Sequence, residues 1–165
     1  MGEEIQKTKN DSPVKVDKGP NRIVEKGPHV VHDTTTGIFW LKKDSWQDKG
    51  KFFNWHESNE YNDRKNLRKI GGFDDWRMPL LEEAKTLYNE TFSNTGKGGV
   101  TLHIDPIFPE GGFKVQWLGG DTSTRRPRFD YSEGKEVFVD EYSFGSVRPC
   151  RKALIQRFAT RAKRK

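Results

Sequence analysis

The chain has 165 residues, 30 Lys+Arg against 24 Asp+Glu for a net charge of +6, 32% hydrophobic residues and one cysteine, which is the size of a single domain. A mean hydropathy of -0.96 and 33% charged residues suit a disordered chain, but twenty large rings (five Trp, eleven Phe, four Tyr) argue instead for a small aromatic core under a polar shell. No run approaches the roughly 18 apolar residues of a membrane span, and the lone Cys150 excludes an internal disulfide, a paired-cysteine zinc site and a dithiol redox motif.

The charge is concentrated at the C-terminus. Residues 151–165 hold seven Lys/Arg and no acid, residues 1–29 hold six basic and five acidic residues, and the body between them is close to neutral. Nucleic acid, an anionic membrane or an acidic protein are therefore partners for the tail rather than for the domain. Ala153, Leu154, Ile155 and Phe158 interleave with cations there, the pattern of a short basic amphipathic helix.

In chain order, residues 1–28 mix Lys, Glu, Asp, Gly and Pro without periodicity and read as a disordered or extended head. The domain is expected over 29–152, with 153–165 as the basic tail. The head lacks the apolar stretch of a signal peptide, so the chain as written reads as unexported, with its compartment open. Val30–Asp33 and Ile38–Leu41 read as a hairpin, with Gly37 supplying a positive φ. Asn54 followed by Glu57 has the spacing of a capping box and opens a helix to about Lys69, ended by Gly71-Gly72. Pro79 is expected in the first turn of a second helix through Leu80, Leu81, Ala84 and Leu87.

From Tyr88 onward glycines and prolines break every period for some thirty residues, leaving room for short strands such as Val115–Leu118. Arg128–Tyr131 and Glu136–Val139 read as a hairpin about a turn at 132–135, and Phe144–Arg148 as the closing strand. The order of hairpin, two helices, long loops and antiparallel strands predicts an α+β domain.

Thr36-Gly37-Ile38-Phe39-Trp40, Gly71-Gly72-Phe73-Asp74-Asp75-Trp76-Arg77-Met78-Pro79, Phe129-Asp130 with Gly134, and Val147-Arg148-Pro149-Cys150-Arg151 resemble, in order and spacing, the C-terminal domain of Lcl-type collagen-like adhesins. This is a widespread bacterial family of unknown function, and the resemblance covers about residues 29–152. It implies a C-type-lectin-like fold related to the formylglycine-generating-enzyme type, with adhesion or binding of ligands that include sulfated glycans, in proteins that are often exported. Leu80 stands where members usually carry a hydroxyl cap. The formylglycine-generating activity needs a reactive cysteine pair that a single Cys150 does not supply. Calcium-binding lectins of the fold use Glu-Pro-Asn and Trp-Asn-Asp triplets, and neither occurs here. No metal or other cofactor is therefore expected.

Asp74 and Asp75 on an extended segment point to opposite faces, so they are poorly placed to share a substrate. A structural role is expected for the block, with Trp76 in the core and Arg77 tied to an acid such as Asp75 or Glu83; an anion clamp is the alternative. Trp40, Trp55, Gly71, Gly72 and Pro79 complete the structural set. The segment 117–131 is the expected binding surface, with Trp117, Asp121, Arg125, Arg126, Arg128 and Tyr131 as candidate ligand residues, because arginines make bidentate contacts with anions while rings stack. The competing reading makes Trp117 core and the arginines a solvated loop. The domain is expected to bind a protein partner or an anionic glycan rather than to catalyse, or to serve as an accessory subunit attached through its tail.

Overall fold

The computed structural model describes residues 21–120 and 125–153. Asp121 and most of the expected tail helix lie outside the described residues. The architecture is α+β, with three antiparallel sheets and a few short helices. Among the described residues no helix is long and apolar enough to cross a membrane.

The first sheet has the order β1-β2-β3-β9, built from β1 (Ile23–Glu25), β2 (Val30–Asp33), β3 (Ile38–Leu41) and β9 (Cys150–Lys152). The hairpin predicted for β2 and β3 is present, with Gly37 at φ 80° in its turn. Alternation along the strands gives the sheet two faces. Val31, Ile38 and Trp40 join the main core with Leu87, Phe108, Leu118 and Phe129. On the other face Val24, His32, Phe39 and Arg151 lie in one cross-strand row, beside the paired Val30 and Leu41. Ile70, Phe73 and Trp76 cover part of that face.

Of the expected head, residues 1–20 lie outside the described residues, and residues 22–25 pack on the domain. β1 pairs with β2, and buried Arg22 directs Nε to Asp33 Oδ2 at 3.0 Å and Nη2 to the Thr86 carbonyl at 2.7 Å. Three residues carry no periodicity, so only the partner strand makes β1 recognisable.

Helix α1 (Ser45–Lys49) was not expected; Asp44 caps it by accepting from Gln47 N, while Gln47 Oε1 accepts from Asp44 N. Helix α2 (Trp55–Leu67) starts at the Asn54/Glu57 capping box as predicted. It stops two residues early, because Lys69 rather than a glycine takes the left-handed conformation, at φ 52°. Helix α3 (Leu81–Lys85) is shorter than expected. Pro79 precedes it instead of lying in its first turn, since the Pro79 carbonyl accepts from Gly119 N at 2.9 Å and Leu80 is an extended N-cap.

The long irregular stretch carries a two-residue ladder between β4 (Asn94–Thr95) and β5 (Thr101–Leu102), joined through a 3-10 turn at Lys97–Gly99. The third sheet has the order β6-β7-β8, from β6 (Val115–Trp117), β7 (Arg125–Asp130) and β8 (Lys135–Asp140). The predicted closing strand 144–148 is not one. Its residues make isolated bridges, Gly145 to Phe53 and Ser146 to Gln116, and the pairing with β3 falls to Cys150–Lys152.

Candidate functional site

Two of the six predicted ligand residues are core. Trp117 is fully buried with Nε1 donating to the Phe53 carbonyl at 2.9 Å, and Tyr131 is buried with its hydroxyl donating to the Ala84 carbonyl at 3.0 Å. The arginines lie on a strand, not a loop, because β7 extends through Pro127 in register with β8. Strand alternation separates Arg125 from Arg126 and Arg128. Arg125 Nη2 donates to the Phe138 carbonyl at 2.7 Å. The Arg126 guanidinium stacks 3.9 Å from the Trp55 ring centre and lies 3.4 Å from Glu141 Oε1. Arg128 packs over Trp117 and donates to the Phe144 carbonyl; burial pulls its pKa down. Among the described residues of the segment, these side chains fasten β7 to its neighbours.

Trp40 and Trp76 are buried, and Trp55 is half-buried under Arg126. Trp76 N donates to Asn66 Oδ1 at 2.6 Å and its Nε1 to the Ile70 carbonyl at 2.9 Å. Arg77 chooses Glu83, with Nη1 and Nη2 at 2.7 and 2.8 Å from its two oxygens, and this bond raises the arginine pKa. Burial raises Glu83, but Arg77 and the Leu80 N–H outweigh it and hold the carboxylate below its ordinary value. Asp75 takes Arg151 instead, at 2.8 and 3.0 Å. Cys150 is buried 3.7 Å from Glu83 Oε1, and burial pushes its thiol pKa up, away from nucleophilic chemistry.

A concavity that the sequence does not reveal lies between the end of the first hairpin and α2. It encloses about 530 Å³ and is lined by His29, Lys42, Lys43, Tyr61, Lys65 and Arg68, with Asp48 the one carboxylate of its wall. Tyr61, Lys65 and Arg68 recur at i, i+4 and i+7, so one side of α2 and its C-cap supplies them. Asp48 accepts from the Tyr61 hydroxyl and from Lys65 Nζ, both at 2.7 Å. Burial raises the Asp48 pKa, but these two donors more than offset it and hold the carboxyl ionised. The negative charge is thereby spent on Lys65, and Lys42 is paired with Glu25 at 3.1 Å, so Lys43 and Arg68 carry the excess positive charge at the opening. A shallow recess sharing Tyr61, Lys65 and Arg68 adds Lys49 and Arg64. Lys42-Lys43 and the basic end of α2 were visible in the sequence, but their meeting was not.

A second concavity, also about 530 Å³, lies alongside, lined by Glu25, Lys26, Val30, His32, Phe39 and Phe73 together with Gly27 and Gly71. Ile70 lines the first concavity, and Gly71 and Phe73 of the Gly71–Pro79 block line the second. Gly71 is required there: at φ +66° a Cβ would stand 2.6 Å from Val30 Cγ2. Among the described residues no group of three His, Cys, Asp or Glu side chains is placed to hold a metal ion.

The fold and its concavities define an α+β domain with a cationic cleft beside an aromatic one. Comparison with protein families gives it a place: the Lcl C-terminal domain family matches residues 29–151, about three-quarters of the chain, and the chain belongs to that family. No curated protein matches it.

Proposed function

We propose that the domain is a non-catalytic binding module for an anionic ligand, an anionic glycan or an acidic protein segment, and that the ligand sits in the cleft between Lys42-Lys43 and α2. The observation that carries this reading is the charge of the wall: among the described residues Lys42, Lys43, Lys65 and Arg68 line it against Asp48, which Lys65 and Tyr61 already occupy, and Glu25, which pairs with Lys42 from the neighbouring concavity. Association between such a wall and a polyanion is electrostatic and salt-sensitive. The site thus moves from the 117–131 segment to the cleft. Within the α+β class we assign a C-type-lectin-like arrangement, supported by the first and last described strands sharing one sheet and by the long irregular stretch between the helices and the last strands.

The test is binding of heparin to the full chain across a salt series. Lys43→Glu with Arg68→Glu is expected to reduce the slope of log affinity against log salt by about 2, one for each cation removed. Arg125→Glu, outside the cleft, is expected to leave it unchanged. An unaltered slope in the cleft variant refutes the site. A second reading, attachment through the tail, rests on the seven cations without an acid in residues 151–165. It predicts that a chain ending at Lys152 loses retention on both heparin and nucleic acid.

A further inference from the structure

The two concavities share a wall. Lys42 lines the cationic one and Glu25 the aromatic one, and their charged ends meet at 3.1 Å. Leu41 lines the first, Val30 lines the second, and the two are direct cross-strand partners. The next pair on the same face, His32 and Phe39, lies two residues along the strands, about 7 Å away.

The rings there form a fixed wall. His32 stacks on Phe39 at 4.1 Å, and Phe39 lies 5.0 Å from Phe73. Arg151 sits 4.0 Å from the Phe73 ring centre and is held in place by Asp75. All three rings are half-buried. The Arg151 guanidinium covers both phenyl rings and Lys26 lines the same cavity, so the wall offers the rings no free face for a cationic guest on that side. Glu25 is neutralised by Lys42.

We infer that the cationic cleft and the aromatic cavity are two subsites for one ligand, an organic anion carrying an apolar or aromatic ring joined to its charged group by a short linker. This inference rests on the cleft being the anion site. A uniformly charged polymer fills only the first subsite. A ring-bearing anion also removes the His32, Phe39 and Phe73 wall from water, which favours it.

The experiment is chemical-shift mapping of the full chain with inorganic phosphate, 3-phenylpropyl phosphate and 3-phenylpropanol. Phosphate is expected to move the signals of Lys42, Lys43, Lys65 and Arg68 alone. The phenylpropyl ester is expected to move those and His32, Phe39 and Phe73, and to bind about tenfold tighter than phosphate. Phe73→Leu, which keeps an apolar side chain over the sheet, should retain the fold and lose most of that gain; the melting temperature checks the fold, and His32→Ala gives the same reading on a second wall residue. Cleft shifts with no gain from the phenyl group overturn this inference alone. No cleft shift with either anion overturns the anion-site reading and the inference with it.

Discussion

Gly71 is where the Gly71–Pro79 block meets the aromatic concavity. Its φ is positive, and a Cβ at this position would stand 2.6 Å from Val30 Cγ2, so there is no room for a side chain, and Val30 is buried behind it. Gly71→Ala is expected to cost about 1–3 kcal/mol, read as a lowered melting temperature or urea midpoint. Arg128 shows the opposite relation between sequence and role. Three arginines in four residues look like a ligand clamp, yet Arg128 lies half-buried over Trp117 and bonds to the Phe144 carbonyl. Arg128→Glu is therefore expected to lower the melting temperature, because it places a carboxylate against a carbonyl and an indole. An unchanged melting temperature contradicts that role. The burial of Trp76 and the acidic partner of Arg77 were legible because a charge beside a buried ring needs a counterion. Trp117 in the core was one of two readings the sequence left open, and the burial of Tyr131 was not legible, since a single sequence does not say which residues of an alternating run face inward.

At the scale of elements, local signals were read well and borrowed ones poorly. The β2–β3 hairpin and the Asn54/Glu57 box follow from residues within a few positions of each other. β1 and β9 are three residues each and owe their form to partners far along the chain, β9 pairing with β3 more than a hundred residues away. Helix α3 is five residues long and depends on Glu83, which accepts from Leu80 N, binds Arg77 with both oxygens and receives the Cys150 thiol. The Glu83 and Asp75 carboxyls are held below their ordinary values of 4.5 and 3.8, so the folded state binds their protons less readily than the unfolded chain. Their stabilisation is complete above those values and is lost as pH falls through the folded-state pKa values. The melting temperature is thus expected to fall on acidification below about pH 4.5. Glu83→Gln should cost about 1–3 kcal/mol at neutral pH and flatten the acid decline. An acid profile identical to that of the parent chain contradicts the assignment.

At the scale of the molecule, the cleft joins the β2–β3 hairpin, α1, the end of α2 and the loop at Pro109, segments that only tertiary packing brings together. The net charge of +6 concealed it by placing most of the excess in the tail. The central claim is that the domain, apart from its tail, carries an anion site. Retention on heparin over a salt gradient tests it most directly, comparing the full chain, a chain ending at Lys152, and that shorter chain with Lys43→Glu and Arg68→Glu. Retention that survives truncation and falls when the two cleft cations are reversed is the predicted result, whereas complete loss on truncation contradicts the claim and assigns attachment to the tail.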